Sequence, residues 1–177
     1  MVDKRKIYTI TDVEGFTPQI GRLVSMMNYV RHTTLMEVHG LTTTQLDYLL
    51  DQESNSIGAL LSHITAVEVA YQVATFEGRD LNEEELNEWG VSLKLGQRAR
   101  RLIRGRSLDH YLKSLEEVRA RTLAGLAARD DDWLYEETPF WDRLPANNYF
   151  KWFHVFEDEL NHRGQIRLIS KRLPQAS

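Results

Sequence analysis

The chain has 177 residues, 42% of them apolar and 27% charged, with a net charge of −4. That is the profile of one globular domain spanning 1–177 with a substantial core, and it lacks the concentrated basic footprint of a nucleic-acid binder. With no cysteine, disulfides and thiolate zinc sites are excluded, and any nucleophilic thiol must come from a substrate or cofactor. Nothing resembles a signal peptide and no apolar run approaches bilayer-spanning length, so the expectation is a cytoplasmic protein with no membrane partner.

Four prolines, ten glycines and long runs of helix formers predict an all-α fold. After a leader over 1–16, Thr17-Pro18 reads as a hydroxyl cap followed by proline at the first helical position. Ile20, Leu23, Val24, Met27, Tyr29 or Val30, Thr34 and Val38 then repeat at helical spacing to His39, and Gly40 ends the helix. Leu41 to Leu50 reads as a short helical turn inside a connection.

Asn55-Ser56 caps a second main helix running to about Phe76. Its core side is read as Ile57, Leu60, Leu61, Ile64, Val67 and Tyr71, and Gly78 closes it. Residues 79–106 form a connecting segment with an acidic patch (Glu83 to Glu88) and a basic run (Arg98 to Arg106), predicted as short helical pieces. Ser107 caps the third main helix, whose stripe is Leu108, Tyr111, Leu112, Leu115, Val118, Thr122 and Leu126. Trp133 to Asn147 reads as a loop in which Trp133, Tyr135, Phe140 and Trp141 cluster. Asn148 is taken as the cap of the fourth helix, which ends before Pro174. Four principal helices without strands predict a four-helix bundle, an architecture that builds metal sites from facing helices.

Chemistry concentrates on the last helix. His154, Asp158 and His162 follow at spacings of four, each step a turn plus about 40° and a rise of roughly 6 Å. Asp158 and His162 therefore project from one face, within apolar surroundings where an unpaired polar group is costly. His63, between apolar residues on the second helix, is the best-placed third ligand. Two imidazoles and a carboxylate suit Zn, Ni, Fe or Mn, with coordination positions left open. From spacing alone, a satisfied core histidine explains each residue as well as a ligand does.

His154 stands about 12 Å from His162 by helix rise. It reads as a neighbour of the ligands, a pocket wall or packing. Glu68 reads as a salt-bridged or solvated residue before a general base or a substrate-orienting group. His32, His39 and His110 read as partly exposed surface residues, and Glu157 and Glu159 as solvent charges. Arg31 and Arg163 could meet an anionic substrate or form surface ion pairs of small net worth.

Ser56-Ile-Gly-Ala-Leu-Leu-Ser-His63 with Ala66-Val-Glu68 resembles the second helix of DinB-like proteins. His154 through Asp158 to His162-Arg-Gly-Gln-Ile166 resembles their fourth. Leu41-Thr-Thr-Thr-Gln-Leu-Asp47 and Arg172-Leu-Pro174 extend the likeness from about Arg22 to Pro174. The resemblance implies a four-helix bundle, often a homodimer, with a divalent ion held by His63, Asp158 and His162. Many members place histidine where this chain has Asp158. The related mycothiol-dependent maleylpyruvate isomerases look to place glutamate there, one methylene longer than this aspartate.

The wider family's metal-dependent transferases and isomerases use low-molecular-weight thiols such as bacillithiol or mycothiol. The expectation is therefore an S-transferase joining such a thiol to a small-molecule electrophile, with His154 and Glu68 as candidates for proton transfer. Two alternatives stay open: a metal-assisted hydrolase acting through water, and a non-catalytic, stress-related metal-binding module.

Overall fold

The computed structural model describes residues 7–140 and 143–174, so Trp141 of the expected aromatic cluster lies outside the described residues. Four long helices form a bundle: α1 (Pro18–Val38), α3 (Ile57–Gln72), α6 (Leu108–Ala127) and α7 (Asn148–Ser170). Helix α3 packs on both α6 and α7, and α1 packs on α7. A short α2 (Thr43–Leu46), closed by a reciprocal capping box between Thr42 and Gln45, precedes α3. The connecting segment holds α4 (Glu83–Lys94) and α5 (Gly96–Leu102), the short helical pieces expected there.

The helix starts follow the capping rules with two corrections. Ser56 and Ser107 accept the backbone N–H three residues on, satisfying donors the helix cannot pair internally. At α7 the cap is Asn147, not Asn148, and its carboxamide oxygen takes the Phe150 N–H. At α1 the Thr17 hydroxyl does not cap its own helix; it donates to Asp131 at 2.5 Å. The Asp131 carboxylate itself accepts the N–H groups of Gln19 at 3.0 Å and Ile20 at 3.2 Å, a cap delivered from the far end of α6. A sequence shows only local caps, and this one arrives from more than a hundred residues away.

The segment expected to be a strandless loop contains a small hairpin. Glu137–Pro139 (β1) pairs antiparallel with Pro145–Asn147 (β2), with Glu137 opposite Asn147. With one proline on each of two three-residue strands, no run of β-formers announces the hairpin. A second correction concerns α3 and the π-helical turn Val73–Glu77 that continues it. Ile57–Glu77 is long and apolar enough to cross a membrane by length and composition, contrary to the expectation that no run came near; 72% of its most apolar window is buried inside the bundle.

The apolar core has two layers. One gathers Leu60, Leu61, Ile64, Tyr111, Leu115, Ile166 and Ile169. The other gathers Leu23, Met27, Val30, Leu126, Trp152 and Phe156. Between them lies a layer of buried charges to which each long helix contributes one residue: Arg31 of α1, Glu68 of α3, Arg119 of α6 and Glu159 of α7. Arg31 donates to Glu159 at 2.9 Å and to Glu68 at 3.0 Å. Arg119 donates to Glu68 at 2.6 Å, and the Thr122 hydroxyl adds a further bond to Glu68 at 2.7 Å. Within this layer two cations and two anions cancel, so its four charges carry no net charge.

This layer corrects three sequence expectations. Glu159 is not a solvent charge, and Arg31 forms no surface pair. The core side of α3 carries buried Glu68 and Gln72 where Val67 and Tyr71 were expected; both of those are only half-buried. Among the described residues Arg163 makes no surface ion pair either; it donates to the Thr33 hydroxyl.

Candidate metal centre

His63 lies on α3, and Asp158 and His162 lie one turn apart on α7. The contact of these two helices brings the three side chains together. His63 Nε2 is 3.7 Å from Asp158 Oδ2, and His162 Nε2 is 3.4 Å from Asp158 Oδ1. The imidazole rings of His63 and His162 meet edge-on with centroids 4.6 Å apart. One ligand atom from each residue falls within 4.8 Å of the other two. Donors at about 2.0–2.2 Å from one ion stand no more than about 4.4 Å apart, so a few tenths of an ångström of closure suffices.

Further contacts orient the donors. The Ser92 carbonyl on α4 accepts from His63 Nδ1 at 2.9 Å, which fixes the proton on that nitrogen and turns the Nε2 lone pair toward Asp158. The connecting segment thus has a structural task, holding the first histidine. Among the described residues, Asp158 Oδ2 and His162 Nδ1 are buried without a hydrogen-bond partner. Burial lowers the His63 pKa, but the Asp158 carboxylate and the Ser92 carbonyl outweigh it and leave the value raised. Burial pushes the Asp158 carboxyl up, yet the two imidazoles hold it well below the usual carboxylate range. The site therefore keeps its carboxylate ionised and its imidazoles close together. An orphaned carboxylate oxygen, two imidazoles and no thiolate fit a divalent cation of the borderline class.

The other sequence candidates fall elsewhere. His154 projects beside the donors, its Nδ1 2.9 Å from a Glu157 oxygen and its ring against Tyr71 and Phe150. Glu68 is held in the charged layer by both arginines and Thr122. Arg119 escaped the sequence reading. Its signal was an arginine four residues after Leu115 and three before Thr122, inside the apolar stripe of α6.

A cleft of about 640 Å³ opens along α3, the hairpin and the start of α7, lined by Tyr71, Ala74, Thr138, Phe140 and Lys151 among others. Tyr71 lies between the cleft and the centre, its ring against His154 with centroids 5.9 Å apart; burial and the charges of Asp158 and Glu157 push its phenol pKa up.

Fold and site together define a helical-bundle protein with an open His–Asp–His donor set between two of its long helices. A family model described as mycothiol-S-transferase matches residues 22–173, and the chain belongs to that family, within the DinB-like proteins. No curated protein matches the chain. Among solved structures it is similar to a conserved protein from Enterococcus faecalis, with a TM-score of 0.64 and 14% identity over 84% of this chain and 93% of that one. It is also similar to an uncharacterised protein from Escherichia coli UTI89, with a TM-score of 0.60 and 15% identity over 88% and 95% of the two chains. At such identities the likeness carries the fold.

Proposed function

We propose that His63, Asp158 and His162 hold a divalent cation of the Zn, Ni, Fe or Mn group, and that the protein is a metal-dependent S-transferase for a low-molecular-weight thiol. The observation that carries this reading is the mutual approach of the three donor atoms to within 4.8 Å. Family membership supports the thiol. When bound, such a cation lowers the pKa of a coordinated thiol so that the thiolate is the nucleophile near neutral pH.

The chain's own residues do the rest. Ser92 holds the His63 tautomer, and the charged layer sets the register of α3 against α7. Glu68 is a positioning residue in this scheme, since its carboxylate is saturated by Arg31, Arg119 and Thr122. His154 walls the approach to Asp158 together with Tyr71, and Tyr71 and Phe140 supply apolar faces for an electrophile. In this reading the protein acts in the cytoplasm as a homodimer. Exposed Met36 of α1 and Leu168 of α7, each next to a member of the Glu37–Arg167 ion pair, supply apolar surface for the contact.

The test is an electrophile panel assayed with zinc-loaded protein, with mycothiol, bacillithiol or no thiol. Thiol-dependent loss of electrophile with formation of the thioether is the expected result. Turnover that proceeds equally well without thiol would replace the transferase with a metal-assisted hydrolase. Failure to take up any of the four metals would overturn the metal-centre reading and leave a non-catalytic module.

A further inference from the structure

We propose that the cleft beside the start of α7 is a receptor for a carboxylate carried by the electrophilic substrate, with the Lys151 ammonium as anchor and the Thr138 hydroxyl as a second donor. This deepens the transferase reading and rests on it for the identity of the reacting partner.

Lys151 is 2% exposed, yet among the described residues its ammonium has a hydroxyl and a ring for neighbours and no carboxylate. Its polar partner is the Thr138 hydroxyl, which accepts one of three N–H donors. Its remaining neighbour of note is the Phe140 ring, with the centroid 5.9 Å from Nζ. The chain treats its other buried cations differently: Arg31 and Arg119 each bond to two carboxylates. Burial lowers the lysine pKa, and no acidic group offsets that effect. A buried ammonium with donors to spare, on the wall of an open cleft, is an electrostatic vacancy for one anion.

The other charges of the cleft do not fill this role. Arg79 is committed to Glu77 at 2.6 Å and Glu85 at 2.7 Å, and Asp80 is exposed. Ammonium N–H groups together with the Thr138 hydroxyl proton match the two oxygens of a carboxylate. Position defines the rest of the ligand. Lys151 and Asp158 are seven residues apart on α7, which places them on one face within about 20° and roughly 10 Å apart along the axis. His154 lies between them on the helix, and Tyr71 and Phe140 line the same wall. The substrate class is therefore a small organic acid whose reacting carbon is separated from its carboxylate by an apolar or aromatic spacer about two helical turns long.

The experiment measures binding in chelator-treated protein, so that it does not depend on the metal. The probes are 4-phenylbutyrate and its neutral amide, 4-phenylbutyramide, titrated calorimetrically into the wild type and Lys151→Met. The acid is expected to bind the wild type at least tenfold more tightly than the amide, with that preference abolished in Lys151→Met and retained in Lys151→Arg. Equal binding of acid and amide by the wild type, or no binding of either at millimolar concentration, overturns the proposal. So does a tenfold preference surviving in a folded Lys151→Met. If that variant does not fold, the acid-to-amide ratio of the wild type decides alone. Zinc titrated separately into the same protein reports on the metal centre, so either reading can fail while the other stands.

Discussion

Glu68 shows what a single side chain contributes when its partners come from two other helices, α1 and α6. Burial raises its pKa, but Arg119, Arg31 and Thr122 more than compensate and hold it at about 2. A carboxylate depressed below its ordinary 4.5 contributes stability that is fully present above that value and lost as pH falls toward about 2. Acid titration of the Glu68→Gln variant should accordingly show a shallower loss of stability between pH 4.5 and 2 than the wild type. Removing one partner of a buried pair strands the others, so Arg119→Met should cost about 3–5 kcal/mol in urea unfolding. His63 carries the opposite sign. Its raised pKa stabilises the metal-free protein below the ordinary 6.5 and is lost as pH rises through the raised value. A divalent ion needs the unprotonated imidazole, so zinc affinity should rise with pH across that window and loading should release a proton. His63→Ala and Asp158→Asn should each abolish stoichiometric zinc in elemental analysis of protein purified without an affinity tag. Full occupancy in either variant would remove that residue from the ligand set.

At the scale of elements, two contacts fix how helices meet. Asp131 reaches from the end of α6 to the first turn of α1, where its carboxylate takes two backbone N–H groups and faces the positive end of the helix dipole. Asp131→Ala should destabilise the fold by about 0.5–2 kcal/mol, the range for a lost cap, with the earliest hydrogen-exchange losses at Gln19 and Ile20. Gly125 of α6 faces the π-helical turn that follows α3, where a methyl group would overlap the Phe76 ring. That ring stacks on Trp152 with centroids 5.2 Å apart and carries the Arg129 guanidinium on its face at 4.4 Å. Gly125→Ala gains up to about 1 kcal/mol of helix propensity against an overpacking cost of about 1–3 kcal/mol. The expected outcome is net loss, read as a lowered urea midpoint; a raised midpoint would mean that Phe76 moves freely.

For the whole molecule, the charged layer and the donor triad make the same demand, one fixed register of α3 on α7. An ion that binds only the folded chain adds about 2.7 kcal/mol at a hundredfold excess over its Kd. For a chain of this size that raises Tm by about 5–10 °C, an increment that calorimetry with and without chelator would read directly. The proposed homodimer should elute in light-scattering chromatography at twice the 20.6 kDa chain mass. Met36→Lys should return it to one chain mass without changing Tm by more than a few degrees.

The helices, their order and the pairing of Asp158 with His162 on one face of α7 were legible because apolar spacing near 3.6, local caps and i, i+4 spacing are short-range signals carried by neighbouring residues. The convergence of His63 on Asp158 was an expectation until the packing of two helices nearly a hundred residues apart gave it a distance. The charged layer was hidden for a related reason: Arg31, Arg119 and Glu159 look like solvent groups singly, and only burial beside opposite charges from other helices makes their positions tolerable. The Asp131 cap and the β1–β2 hairpin were decided the same way, by partners that local sequence does not reveal. Sequence by itself determined which segments coil and which faces are apolar, because those preferences are settled within a few turns of chain. Tertiary structure alone decided which polar groups share one enclosed space, because Coulomb energy and desolvation depend on distances between segments that the linear order leaves open.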